Sequence, residues 1–128
     1  MTRGERNCNP GNIRHGALWQ GMAPEQPDPE FVTFIAPEWG IRAIGRILLH
    51  YETLGLKTVR GLITRYAPST ENNTPAYVSD VAQHLGVGPD DPIHVWSSLW
   101  ALLPAIIAHE NGEQPYSDEL IGKAISLI

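Results

Sequence analysis

The sequence predicts a mainly α-helical domain with a small β element near its N-terminus, and residues 1–128 are expected to form this one domain. Three observations support this. Apolar residues recur at helical spacing from Pro37 onward, whereas the chain up to about Pro29 is rich in Gly, Asn and Pro. In addition, 42% of the residues are hydrophobic, which is enough to build a single core.

The predicted β element lies before Pro37. Gly16 is expected to form a turn between two short extended segments, residues 12–14 and 18–20. Residues 31–35, Phe-Val-Thr-Phe-Ile, have the β-branched and aromatic content of a strand. A small sheet of two or three short strands is therefore predicted.

Caps and apolar faces predict the helices that follow. Gly55, Pro68 and Gly86 are expected to end the first three, and near Pro104 a kink in the fourth or a fresh helix start is expected. The predicted inward face of the fourth helix comprises Trp96, Leu99, Trp100, Leu103, Ile106 and Ile107. The predicted starts are, in order, Pro37, Thr58, Thr74-Pro75, Asp91-Pro92 and either Ser117 or Asp118.

Composition excludes several classes of function. A formal net charge of -5 argues against nucleic acid as the partner, and Cys8, the single cysteine, excludes an intramolecular disulfide. The five histidines show no close metal-ligand spacing, so no metal or cofactor is expected. The first residues lack an apolar signal region and no apolar run is long enough for a membrane span. We therefore expect a soluble monomer that does not insert into membranes.

The strongest candidate for chemistry is Glu110, in the stretch His-Glu-Asn-Gly. Leu103, Ile106 and Ile107 precede it at helical spacing and share its face. A carboxyl group at the end of an apolar stripe is partly desolvated, as a general acid requires. The alternative is an ordinary solvated glutamate beside the glycine that ends a helix.

Two further segments carry candidate ligand groups. Residues 7–14 are dense in amide side chains that suit sugar hydroxyls and N-acetyl groups, although such a turn can also simply stabilise itself. Residues 65–81 form a proline-containing loop that leads into a capped helix, and the alternative there is an ordinary capping loop.

These segments resemble a known family. The spacing Thr74-x-x-Tyr77-x-x-x-Val81 resembles the closing motif of soluble lytic transglycosylases, which belong to the lysozyme-like superfamily. Gly-Asn-Ile-Arg at residues 11–14 resembles the glycine-led β segment that lines their cleft. The set RN-x-NPGNIR, GIRA, RYAP-x-x-ENNT-x-x-Y and HENG resembles phage virion and prophage proteins placed in that superfamily, over most of the chain.

The resemblance implies an enzyme, a lytic transglycosylase or muramidase that cleaves peptidoglycan between N-acetylmuramic acid and N-acetylglucosamine. Glu110 would be its general acid and base, and Tyr77 would support the acid or the sugar. The other implied substrate-binding residues are Asn9, Asn12, Arg14, Glu71, Asn73, Thr74 and Asp118. If Glu110 acts alone, an anhydro product is expected, whereas a second carboxylate across the scissile bond, Asp118 or Glu71, would permit hydrolysis.

The order of the motifs departs from the family. Lysozyme-like enzymes carry their acid at the end of a helix that precedes the β segment, and no helix is predicted before Asn7. A circular permutation, in which the last helices occupy the place of the missing one, would account for this. Glu5 and Glu71 are the rival acids, and Glu5 is disfavoured because it is expected on a loose terminus.

The same resemblance suggests a phage or prophage protein that opens the cell wall as an endolysin or as part of the virion. Such a protein would be made in the host cytoplasm without a signal peptide and would reach the periplasm and wall through the virion or a holin. Its partners would be glycan strands and, in a particle, other virion proteins. The competing class is a non-catalytic virion or wall-binding protein that keeps the lysozyme-like fold.

Overall fold

The structure, a computed structural model, describes all residues from Met1 to Ile128, and helices dominate it as predicted. None of the helices combines the length and apolar character needed to cross a membrane. The helices are α1 (Arg3–Arg6), α2 (Pro37–Thr53), α3 (Val59–Tyr66), α4 (Thr74–Leu85), α5 (Val95–Asn111) and α6 (Asp118–Ser126).

Side-chain caps set most of the helix starts. The Thr58 hydroxyl accepts from the amide of Gly61 at 3.0 Å, as predicted, and Ser117 rather than Asp118 caps α6. The prediction for α4 was wrong by one residue, because Asn73 caps it by accepting from Ala76 at 3.3 Å. Thr74 is already helical.

Helix α5 begins later than predicted and continues through its proline. The start at Asp91-Pro92 was wrong: α5 begins at Val95, whose amide donates to Glu52 Oε2 at 3.0 Å. Asp91 instead closes a turn by accepting from the amide of Gly88 at 2.7 Å. Pro104 lies inside the helix, which continues without a break to Asn111.

The core forms around α5, which packs against α2, α4 and α6. Trp96 and Trp100 were predicted to face inward, but they are 54% and 56% exposed. The inward positions of α5 belong instead to a neighbouring stripe of smaller residues, which fits between the flanking helices. That stripe comprises Val95, Leu99, Leu102, Leu103, Ala105, Ile106 and Ile107.

The segment before α2 contains isolated bridges rather than strands. Arg14 pairs with Phe31 and Met22 pairs with Phe34, both antiparallel, and a further bridge joins His15 to Ala17. The expected sheet of two or three strands is therefore not confirmed. Proline and glycine are frequent in this segment and interrupt regular strand pairing. Hydrogen bonds from side chains therefore hold the segment together in place of a regular ladder of backbone hydrogen bonds.

A short helix precedes Asn7, contrary to the prediction. Thr2 and Glu5 form a reciprocal capping box around α1, which gives this single turn the donors and acceptors it needs. Asn111, at the end of α5, holds this region by accepting from the Thr2 hydroxyl at 2.7 Å and donating to the Pro10 carbonyl at 2.8 Å. Glu5 therefore does not lie on a loose terminus.

Asp28 organises the N-terminal segment and makes it sensitive to acid. It accepts two hydrogen bonds from Arg3, at 2.6 and 2.7 Å, and others from Asn7 and from the amides of Glu30 and Phe31. The hydrogen bonds from Arg3, helped by the others, hold the pKa of Asp28 far below its ordinary value. Stability from a carboxyl group with a depressed pKa is present above its unfolded pKa, about 3.9, and is lost as the pH falls below that value.

We therefore expect wild-type protein to lose stability progressively below about pH 4. Asp28→Asn should be less stable at pH 7 and should lose less stability between about pH 4 and pH 2.5. Urea unfolding across this range measures both effects. Asp90→Asn, which removes a far more exposed partner of Arg60, is the control and should change little. Parallel curves for Asp28→Asn and wild type below pH 4 would contradict the assignment.

Gly40 allows α2 to pack directly on the N-terminal segment. A Cβ atom at this position would collide with the backbone carbonyl oxygen of Cys8. Alanine usually stabilises a helix by about 1 kcal/mol relative to glycine, but here Gly40→Ala should destabilise by about 2 kcal/mol. In the control, Gly122→Ala, the added atom meets only the half-exposed ring of Trp100, which can shift. Equal stability of the two variants in urea unfolding would refute this packing argument.

Candidate functional site

A cleft of about 390 Å³ lies between the N-terminal segment and the helical body. Its floor and walls combine carboxylates, amides and aromatic rings. The lining residues are Gly11, Asn12, Ile13, Arg14, Phe31, Ile47, Tyr51, Tyr66, Ala67, Glu71, Asn72 and Glu110.

Glu110 enters this cleft from the last turn of α5. The Asn12 side chain donates to Glu110 Oε1 at 2.9 Å, and Glu110 is partly buried. Asn12 has a φ of 51°, in the left-handed region that asparagine tolerates better than most residues, so its amide is aimed by the turn itself. The other oxygen, Oε2, makes no hydrogen bond within the chain. One oxygen is thus fixed, and the other remains available to a ligand.

Two tyrosines lie close to Glu110: Tyr66, which is partly buried, and Tyr77, which is fully buried. Tyr66 donates its hydroxyl to the Gly11 carbonyl at 2.6 Å, and burial together with the charge of Glu110 raises its pKa well above the ordinary value. Burial, reinforced by the same carboxylate, also raises the pKa of Tyr77. Both hydroxyls therefore stay protonated at any physiological pH.

Tyr77 was predicted to be catalytic, but it is fully buried and is not among the cleft-lining residues. Its ring stacks on that of His109, with centroids 3.8 Å apart, and His109 Nδ1 lies 3.1 Å from Asp80 Oδ2. The Tyr77 hydroxyl is close to Glu110 but meets no acceptor at hydrogen-bonding geometry. The Tyr77 side chain therefore lies near the Glu110 carboxyl group but away from the surface of the cleft.

Arg14 and Glu71 form the rim of the cleft. Arg14 Nη2 lies 3.0 Å from Glu71 Oε1, and Arg14 Nη1 lies 3.2 Å from Glu30 Oε2. The guanidinium carbon also sits 5.0 Å from the centre of the Phe31 ring. These contacts bring the predicted binding residues Arg14 and Glu71 together with Asn12 and Glu110.

Four other predicted binding residues are not brought to the cleft. Asn9 is fully buried, with its side chain bonded to backbone groups of the N-terminal segment. Thr74 is also buried and donates to the Ala67 carbonyl at 2.6 Å. Asn73 caps α4, and Asp118 is exposed in the first turn of α6. For Asn9, Asn73 and Thr74 the structure supports the alternative interpretation, in which polar side chains satisfy a turn or a helix end.

The cleft also contains residues that the sequence did not indicate as ligands. Tyr66 lies in the motif RYAP, near the predicted end of the helix that starts at Thr58, and the sequence does not indicate it as a ligand group. Ile47 and Tyr51 lie four residues apart on α2, and helical spacing by itself cannot distinguish a cleft wall from the core. Phe31 was assigned to a strand. No local signal separates these residues from ordinary core residues.

Glu5, the rival acid, lies in a different place. It is near Glu113 and Tyr116, outside the cleft, and interaction with the neighbouring carboxyl group of Glu5 raises the pKa of Glu113. Burial and the charge of Glu5 raise the pKa of Tyr116 to about 12. Glu5 therefore does not line the cleft that contains Asn12.

These features define a mainly helical domain with a cleft in which the side chain of Asn12 holds Glu110 and Tyr66 lies beside it. No protein-family model matches the chain. The chain is 39% identical over 127 residues to Protein P5 of Pseudoalteromonas phage PM2, and the match covers 95% of this chain and 79% of that protein. The chain therefore belongs to the family of this phage protein.

Proposed function

We propose that the protein cleaves peptidoglycan glycan strands between N-acetylmuramic acid and N-acetylglucosamine, with Glu110 as general acid and base. The observation that carries the proposal is the position of Glu110, partly buried in the cleft and held 2.9 Å from the amide of Asn12. A carboxyl group acting on a glycosidic oxygen needs such a fixed orientation beside a groove. A depression near the start of α3 contains no carboxylate, and one beside α4 contains Asp80, which is exposed and paired with His109 rather than held by an amide in a cleft.

The chemistry would proceed in two proton transfers. Glu110 would first donate a proton to the glycosidic oxygen as the bond to the muramic acid carbon breaks. Its carboxylate would then take the proton from the O6 hydroxyl of the same muramic acid, whose oxygen closes onto that carbon and forms the anhydro product. Asn12 would keep Oε1 in place throughout, so that Oε2 handles the proton.

The number of carboxylates in the cleft favours this route over hydrolysis. Asp118 lies outside the cleft, and Glu71 is half exposed on a rim loop, where its carboxylate is held by the ion pair with Arg14 alone. A retaining or inverting hydrolase needs its second carboxylate held at a set distance across the scissile bond. The chain offers no such group beside Glu110, so we favour the lytic transglycosylase mechanism over the muramidase mechanism.

We also propose that the fold is lysozyme-like and circularly permuted. In support, the end of α5 contacts the N-terminal segment through Asn111, and this places Glu110 beside the Gly-Asn-Ile-Arg turn. The bridge-containing segment would be the counterpart of the family's cleft-lining β segment. Helix α1 is a single turn and does not bring Glu5 to the cleft, so it does not replace the missing first helix.

The biological setting we propose is opening of a bacterial cell wall by a phage, either from within the virion or as an endolysin that passes a holin. Membership in a phage protein family supports this setting.

The test is digestion of purified cell wall followed by mass spectrometry of the released muropeptides. Products with 1,6-anhydromuramic acid ends are expected, each 18 Da lighter than its hydrolytic counterpart because no water is added. Reducing muramic acid ends would instead show a muramidase. If no muropeptides are released but the protein stays bound to the wall, the protein is a non-catalytic wall-binding protein and not an enzyme.

A further inference from the structure

The loop of residues 68–73 is joined across the cleft by one ion pair. Arg14 Nη2 lies 3.0 Å from Glu71 Oε1, and each side chain is 50% exposed. The other polar contacts of the loop are local, namely two hydrogen bonds to the Pro68 carbonyl and the two that Asn73 accepts from the amides of Ala76 and Tyr77 at the start of α4. The Arg14–Glu71 pair is therefore the polar link between this loop and the opposite wall.

Arg14 is held in position by its own segment, independently of Glu71. Its guanidinium group sits over the Phe31 ring and has a second carboxylate partner, Glu30, at 3.2 Å. Glu30 does not line the cleft, whereas Glu71 does. The fork of Arg14 thus has one side anchored outside the cleft and one side directed at a carboxylate inside it.

An arginine presented in this way recognises carboxylates by geometry, and the carboxylate it now binds belongs to the chain itself. The pair is half exposed, so solvent screens it and a competing carboxylate can displace it at little cost. The sugar that the proposed function places in this cleft, N-acetylmuramic acid, carries a lactyl carboxylate or an attached peptide with carboxylates of its own.

We propose that Arg14 is a carboxylate-binding subsite at the rim of the cleft and that Glu71 occupies it as an internal ligand, which the carboxylate of an acidic glycan displaces. This inference rests on the proposed function and adds to it a preference for acidic over neutral glycans. Displacement also releases the loop of residues 68–73 from the opposite wall, so that the cleft opens as the substrate binds.

The experiment measures binding without turnover, in the full chain carrying Glu110→Gln. The probes are an oligosaccharide of alternating N-acetylglucosamine and N-acetylmuramic acid with free lactyl carboxylates, and a chitooligosaccharide of equal length. Adding Glu71→Gln should tighten binding of the acidic sugar by about twofold to fivefold and leave the neutral sugar unchanged. Adding Arg14→Gln should remove the preference for the acidic sugar.

Glu30→Gln is the matched control, because it removes the same charge from the same arginine outside the cleft. Equal gains from Glu71→Gln and Glu30→Gln would show a general charge effect and overturn the subsite. Weaker binding of the acidic sugar by Glu71→Gln, or an equal gain for both sugars, would also overturn it. In these cases, cleavage of cell wall by the wild-type protein leaves the proposed function standing. If neither sugar binds and the wild-type protein does not cleave cell wall, both the carboxylate subsite and the proposed function are overturned.

Discussion

Replacing Glu110 by glutamine is expected to abolish clearing of cell wall in a zymogram, with a loss of activity of about 100-fold or more. Glutamine keeps the size of the side chain and an oxygen that can accept from Asn12, so the geometry of the cleft is retained. It cannot deliver a proton to a leaving oxygen, which is the step assigned to this residue. The variant should therefore still fold and bind glycan while losing turnover.

Glu5→Gln is the control for this experiment. Glu5 lies outside the cleft, and its capping bond from the amide of Thr2, 3.0 Å long, can be made equally by glutamine. This variant should clear the wall normally. Normal clearing by Glu110→Gln combined with loss of clearing by Glu5→Gln would place the acid before the amide-rich turn, which is the usual order in lysozyme-like enzymes, and would exclude the proposed permutation.

The helical part of the fold was predictable because its signals are local. Pro37, Thr58 and Gly86 occupy the positions that their backbone and capping preferences predicted. The start of α5 was not predictable, because the partner of its first amide is Glu52, on another helix. Similarly, Trp96 and Trp100 satisfy helical spacing for an inward face but lie just outside the stripe that the neighbouring helices cover.

The site was predictable only in part, for a related reason. Glu110, Asn12 and Arg14 carry functional groups whose chemistry is visible in the sequence, and the fold brings them together from positions up to 98 residues apart. Asn9 carries the same amide group as Asn12, yet it is fully buried. Residue type alone cannot separate an amide that faces a ligand from one that satisfies its own backbone. That distinction depends on tertiary structure.

Asn9→Ala should therefore be among the most destabilising single substitutions in this chain. The Asn9 side chain donates to the carbonyls of Ile13 and Val32, each at 2.9 Å, and accepts from the amide of Ile13 at 3.0 Å. Alanine would leave the Ile13 amide and the Val32 carbonyl without partners, whereas the Ile13 carbonyl still accepts from the amide of Val32 at 3.0 Å. Each orphaned buried group costs about 1–3 kcal/mol. Because water can enter part of the space, we expect a loss of about 3 kcal/mol in the free energy of unfolding, measured with urea.

Asn73→Ala is the matched control, because this asparagine makes a single exposed cap and its loss should cost about 1 kcal/mol. The comparison decides between two roles for the Asn-rich turn. If Asn9→Ala loses no more stability than Asn73→Ala and binds glycan more weakly, Asn9 is a substrate-binding residue, as the sequence predicted. If Asn9→Ala instead loses much stability and still binds glycan with wild-type affinity under conditions where it remains folded, Asn9 holds the turn in place. In that case Asn12 is the asparagine of the turn that faces the ligand. We expect the second result, since the side chain of Asn9 has no exposed surface through which to reach a sugar.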